Sequence, residues 1–217
     1  MHLVYKFKLN MKKFPNKKYN KISNFFDDYK AEIFESISET SLINLKKAVG
    51  ALEKKILLQS NIFVCGNGGS AAIANHYICD FIKVLRTGTN LKPKFFSLVS
   101  SIETISAIGN DISYSEIFKY QLESLSKKND LVIFVSSSGN SPNIKKALDY
   151  CLKNKIITIG FCGFKGGYLK RNSTIPLYIN NSNYGVIEDS HHILMHIILQ
   201  FLRQKYMKNS KIKKLKF

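Results

Sequence analysis

Apolar side chains recur at helical spacing twice before residue 60. Ile22, Phe25, Phe26, Tyr29, Ile33, Phe34 and Ile37 line one side of a helix over 22–37. Leu42, Leu45, Ala48, Val49, Leu52, Ile56 and Leu57 form a second stripe, with Lys46, Lys47, Glu53 and Lys54 on the remaining surface. Together they read as an N-terminal helical arm that packs on a core or on another subunit. From residue 61 the period changes. Short apolar runs at 62–65, 95–98, 131–135, 156–161 and 175–179 read as strands, separated by helical patterns at 70–84, 102–107, 114–125, 141–152 and 186–206. Strands alternating with helices predict an α/β fold: a doubly wound parallel sheet flanked by helices, a flavodoxin-like three-layer sandwich.

In such a sheet ligands bind at the carboxyl ends of the strands, so the loops there carry the candidate chemistry. After the first strand comes Gly66-Asn67-Gly68-Gly69-Ser70, whose glycines permit positive φ and close backbone approach, with Ser70 suited to cap the next helix. After the third strand comes Ser136-Ser137-Ser138-Gly139-Asn140-Ser141-Pro142. Here Ser141 is placed as an N-cap and Pro142 as the first helical residue. The free amide hydrogens and positive dipole end of that helix, beside a run of hydroxyls, suit a phosphate dianion. Taken singly, either loop is also ordinary turn and cap chemistry. The dinucleotide and Walker fingerprints are both absent.

Length and charge narrow the choice of partner. A chain of 217 residues fits one domain, expected over 21–207, between basic tails at 1–20 and 208–217. The formal charge of +18 invites a polyanion, but much of the excess lysine lies at the ends, where frayed and solvated tails are expected. No helix-turn-helix pattern precedes residue 61, so nucleic acid is not the expected partner. Cys65, Cys79, Cys151 and Cys162 lack CxxC spacing and read as reduced thiols. The longest apolar run, 193–202, is interrupted by His196 and Gln200 and is too short to span a membrane. No secretory signal is apparent, Met11 being a second candidate start, and a cytoplasmic protein is expected.

Four segments, VCGNGGSAAIANH, IGND at 108–111, VSSSGNSPN at 135–143 and IEDSHHILMH, resemble the sugar isomerase (SIS) domain family in its order and spacing. Within it they resemble the sedoheptulose 7-phosphate isomerase branch, over residues 25–205. The resemblance implies a single SIS domain that isomerises a phosphorylated sugar as a homotetramer, with active sites between subunits. It implies that Asn67, Gly68, Gly69 and Ser70 meet the sugar, that Asn110 and Asp111 bind its chain, and that Ser136, Ser137, Ser138 and Ser141 hold the phosphate. It maps His76, Asp80, Glu188 and His196 onto the family's catalytic cluster, which binds zinc in some members. The family commonly has Glu at the place of Asp80 and Gln at that of Glu188.

The spacing agrees with that chemistry. His76 and Asp80 lie four residues apart on one helix, as do Glu188, His192 and His196 on another, so each set shares a face. Aldose–ketose isomerisation needs a base beside the carbonyl, a group that polarises the oxygen, and proton return to the neighbouring carbon. Asp80 and His196 are assigned those transfers, with Glu188 able to act where Asp80 is too short. Two imidazoles and two carboxylates also suit tetrahedral zinc. His191 and Asp189 are expected on another side, at a subunit contact, and Tyr77, Phe81 and Tyr184 in packing. A second reading, from a relative that partners the replication initiator in bacteria, is a non-catalytic binding protein. A third is another SIS enzyme, acting on a pentose or amino-sugar phosphate.

Overall fold

The computed structural model describes residues 13–216, so Met11 and most of the 1–20 tail lie outside the described residues. Five parallel strands, β1 (Asn61–Gly66), β2 (Lys94–Ser97), β3 (Leu131–Ser136), β4 (Ile157–Cys162) and β5 (Ile175–Tyr178), form one sheet in the order β2-β1-β3-β4-β5. Each matches an expected apolar run. Their side chains alternate between two buried layers. Val64, Ile133, Val135 and Phe161 enter one, while Phe63, Cys65, Val132, Phe134 and Cys162 enter the other. A sheet covered on both faces explains why the strands read as unbroken apolar runs rather than alternating ones.

Helices α2 (Leu42–Leu57), α3 (Gly69–Cys79) and α8 (Tyr184–Tyr206) cover the first face. Helices α4 (Ile102–Ile108), α5 (Lys119–Leu125), α6 (Pro142–Lys153) and α7 (Gly167–Asn172) cover the second. The result is the three-layer α/β sandwich that the alternation predicts. Helix α1 (Ile22–Ser38) lies on α8. Its polar contacts hold it there: Tyr29 donates to Asp189 at 2.7 Å, and the Asn181 amide donates to Glu32 at 2.8 Å. Phe26 and Phe34 of α1 stay exposed.

Three local departures shape the molecule. The pattern over 114–125 resolves into a 3-10 turn, Tyr114–Glu116, and the shorter α5, because Ser113 is extended and its hydroxyl accepts the Ser115 amide. The helix expected over 70–84 changes pitch at its end: Asp80–Val84 is a π turn, in which the Leu85 amide reaches the Asp80 carbonyl at 3.1 Å. Nor are the ends simply frayed. Phe14 is buried against Tyr19, Phe25 and Tyr29, and a short helix α9 (Asn209–Ile212) leads into a segment whose Lys216 carbonyl accepts from Arg203.

One glycine in the second loop admits no side chain. Gly139 has φ +62°, and a Cβ there would come within 2.3 Å of the Gly166 carbonyl oxygen. Gly139→Ala is therefore expected to destabilise the fold by about 1–3 kcal/mol, read from urea unfolding. An unchanged midpoint would contradict this account of the loop.

Candidate functional site

The chain leaves β1 towards β2 on one side and β3 towards β4 on the other, so a crevice opens between the carboxyl ends of β1 and β3. Both singled-out loops border it. A reciprocal amide pair joins them: Asn67 donates to Asn143 at 3.0 Å and Asn143 donates back at 2.9 Å. The Tyr114 hydroxyl also donates to Asn67, at 3.2 Å. Sequence reasoning missed Asn143 and Tyr114; the only signal was that Asn143 stands just inside the helix after the serine run.

In the serine loop the hydroxyls divide by role. Ser136 accepts the Gly139 amide and Ser138 the Asn140 amide, each at 3.2 Å. Each hydroxyl proton is thereby left to donate elsewhere. The Ser137 hydroxyl is buried with no hydrogen-bond partner among the described residues. Such a group is costly unless something satisfies it. Ser141 sits at the N-cap of α6 with Pro142 next, as expected, but its hydroxyl makes no cap bond; Asn143 accepts the Ile144 amide at 2.9 Å. The four serines thus lie on the segment that leads into a twelve-residue helix.

The first loop differs from expectation in its cap. Gly68, with φ +53°, takes the N-cap position of α3. Ser70 lies inside the first turn, buried, so it is not the cap; a tight turn from Asn67 starts the helix two residues earlier than a cap at Ser70 would. Gly69 faces α8, and a Cβ there would meet a Glu188 carboxylate oxygen at 2.6 Å.

One to two turns further along both helices the imidazoles gather. Asp80 lies 3.2 Å from His196 Nε2 and 3.5 Å from His76 Nε2. The ring centroids of His76 stand 5.2 Å from His196 and 5.3 Å from His192. The π turn begins at Asp80, and such turns are frequent at functional sites. His76, Asp80 and His196 can bring one donor atom each within 4.8 Å of one another. Two imidazole nitrogens and a carboxylate at that separation fit a three-ligand zinc site with an open position. Glu188 is not of that group, being held at Gly69. Burial, and secondarily Asp189, push its carboxyl above the usual range. Burial and the neighbouring imidazoles hold His192 below the usual histidine value. Asn110 and Asp111 occupy a second π turn, Gly109–Ser113, where both are exposed and Asn110 donates to Asp111 at 2.8 Å.

The expectation of a subunit contact does not hold for His191. His191 is fully buried beneath Phe161, at 5.7 Å between centroids, and so is a core residue rather than part of a subunit contact. Asp189 binds the arm through Tyr29. Tyr77 and Phe81 are buried and stacked, as expected, whereas Tyr184 is exposed with its edge on Phe164.

Comparison with known proteins fits this geometry. A model of the SIS domain family matches residues 24–163. The phosphoheptose isomerase of Helicobacter pylori (strain 26695) is 33% identical over 165 residues, covering 75% of this chain and 84% of that protein. That of Trichlorobacter lovleyi is 35% identical over 147 residues, covering 67% and 74%. Among solved structures, a phosphoheptose isomerase from Francisella tularensis superposes with a TM-score of 0.76 at 24% identity, over 87% of this chain and 99% of that one. GmhA of Neisseria gonorrhoeae gives 0.74 at 23%, over 84% and 97%.

Two pH-dependent outcomes follow. Burial lowers the His191 pKa to about 4, against 6.5 when exposed. The unfolded chain therefore binds the extra proton between those values, and stability is full above pH 6.5 and falls by about 3 kcal/mol as pH drops to about 4. His191→Leu should lack this component of the acid slope in denaturant titrations; an unaltered slope would refute it. For Glu188 the sign is opposite, because a raised carboxyl stabilises only while protonated. Glu188→Gln should raise the melting midpoint above the wild type at pH 7–8, and the difference should shrink as the pH falls towards the unperturbed carboxyl value.

Proposed function

The chain belongs to the SIS domain family, and we propose that it is an aldose–ketose isomerase that converts sedoheptulose 7-phosphate to D-glycero-D-manno-heptose 7-phosphate. The observation that carries this reading is the pairing of a buried, unsatisfied Ser137 hydroxyl at the start of α6 with an Asp–His–His cluster farther along α3 and α8.

Ser136, Ser137, Ser138 and Ser141 would hold the phosphate with the α6 dipole behind them. Asn67, Gly68, Gly69 and Ser70 would meet the sugar, and Asn110 and Asp111 its chain. Without a metal, Asp80 and His196 would carry the proton transfers. A base removes the proton from C1; the electron pair forms the C1–C2 double bond, and O2 takes a proton to give the enediol. O1 then loses its proton as the C1 carbonyl forms, and C2 gains one. His76, Asp80 and His196 would hold zinc, which would polarise the carbonyl oxygen when bound. With their lone pairs so engaged, Glu188 would remain as the carboxylate able to move the proton. Its raised pKa lies in the direction a general acid or base near neutrality needs.

The exposed Phe26 and Phe34 on α1 support a homotetramer with shared sites, as the resemblance implies. No helix among the described residues is long and apolar enough to cross a membrane, which supports the cytoplasm as the place of action. The assembled cluster favours the catalytic reading over a purely binding role.

Conversion of sedoheptulose 7-phosphate, followed by chromatography, tests the assignment. His196→Ala should lower kcat by about 10²- to 10⁴-fold. Ser137→Ala should instead raise KM by about tenfold with kcat little changed, as the loss of one hydrogen bond to a charged group predicts. Full activity in His196→Ala would reject the mechanism. Elemental analysis of Asp80→Asn, expected to retain less zinc than the wild type, tests the ligand set apart from activity.

A further inference from the structure

Two stretches of the chain contain no acidic residue, 81–102 and 190–217. The fold brings them together. The guanidinium of Arg203, on α8, donates to the Thr87 carbonyl at 3.0 Å and to the Lys216 carbonyl at 2.8 Å. Gly88 makes room for the closing contact, since a Cβ there would come within 2.6 Å of Leu215 and 2.9 Å of Met207. The expectation of a frayed C-terminal tail, which argued against a polyanion partner, therefore does not hold for residues 208–216. Those lysines are pinned against the segment after the π turn.

The outcome is two basic segments that adjoin at Thr87 and Gly88. Lys83, Arg86 and Lys92 border a shallow groove whose floor includes Thr87, Thr89 and Asn90. Lys211, Lys214 and Lys216 stand exposed on the adjoining segment. Among the described residues none of these six cations has an ion-pair partner, although elsewhere lysines are paired, as Lys205 is with Glu53 and Lys146 with Glu116. Left unneutralised, such a field attracts a polyanion. Beside its three cations and the apolar Ile82 and Leu91, the groove is lined by the hydroxyls of Thr87 and Thr89 and the amide of Asn90, with no aromatic ring to stack on an unpaired base. That composition fits phosphodiester backbone rather than splayed single strands. Its concave form fits a duplex better than a flat bilayer.

We propose that this face binds double-stranded nucleic acid through its phosphate backbone, without regard to base sequence and apart from the isomerase site. The test is fluorescence anisotropy of a labelled DNA duplex of about 25 base pairs with the full chain, over roughly 50–200 mM salt. A variant carrying Arg86→Gln, Lys92→Gln, Lys211→Gln and Lys214→Gln should bind at least about tenfold more weakly, and its slope of log K on log salt should be shallower by about 3.6. A control carrying Lys18→Gln, Lys127→Gln, Lys128→Gln and Lys153→Gln has the same net charge and should bind like the wild type. Equal losses in both variants would reduce the effect to net charge and overturn the proposal. So would the absence of duplex binding at low salt, or retention on phosphatidylglycerol vesicles without any on DNA.

Discussion

The side-by-side parallel pairing of β1 and β3 is the constraint on which the site depends. Strand direction delivers both loops to one edge, and the change of winding sense between these strands leaves a crevice there. Pairing alone would leave two pliable turns. The reciprocal Asn67–Asn143 amide bonds fix one loop on the other, and Tyr114 adds a donor to the same Asn67 oxygen. Asn143 also accepts the Ile144 amide, so the pair ties the crevice to the first turn of α6. An anion seated there meets amide hydrogens whose direction is set before it arrives.

Regular elements were legible because their physics is local. Buried strands between covering helices must be apolar throughout, and each helix must show its stripe; these signals placed all five strands and most of the long helices. The pairing of Ser141 with Pro142 located the start of α6 for the same reason. What escaped was set by tertiary contact. Nothing in residues 80–84 or 109–113 announces a π turn, because the side-chain pattern of a wide turn differs little from that of an α turn over so few residues. His191 and His192 are neighbours of one chemical type, yet one is sealed under Phe161 and the other joins the imidazole cluster; the rotation of about 100° between successive helical residues decides it. The C-terminal lysines looked like a solvated tail because the contact that anchors their segment to the rest of the fold, Arg203 to Thr87, joins residues 116 positions apart.

The acidic groups of the site show how two departures from the family's usual residues offset each other. Asp80 is one methylene shorter than the glutamate commonly found there, yet it lies within 3.5 Å of both His76 and His196. A π turn starts at Asp80. Glu188 replaces a neutral amide with a carboxylate, which would add a negative charge beside the crevice. Burial against Gly69, together with Asp189, disfavours that charge and draws Glu188 towards its neutral form. A protonated Glu188 resembles glutamine in charge and in its capacity to donate a hydrogen bond, yet it can still release a proton. The cluster thereby has a further titratable group two helical turns from His196.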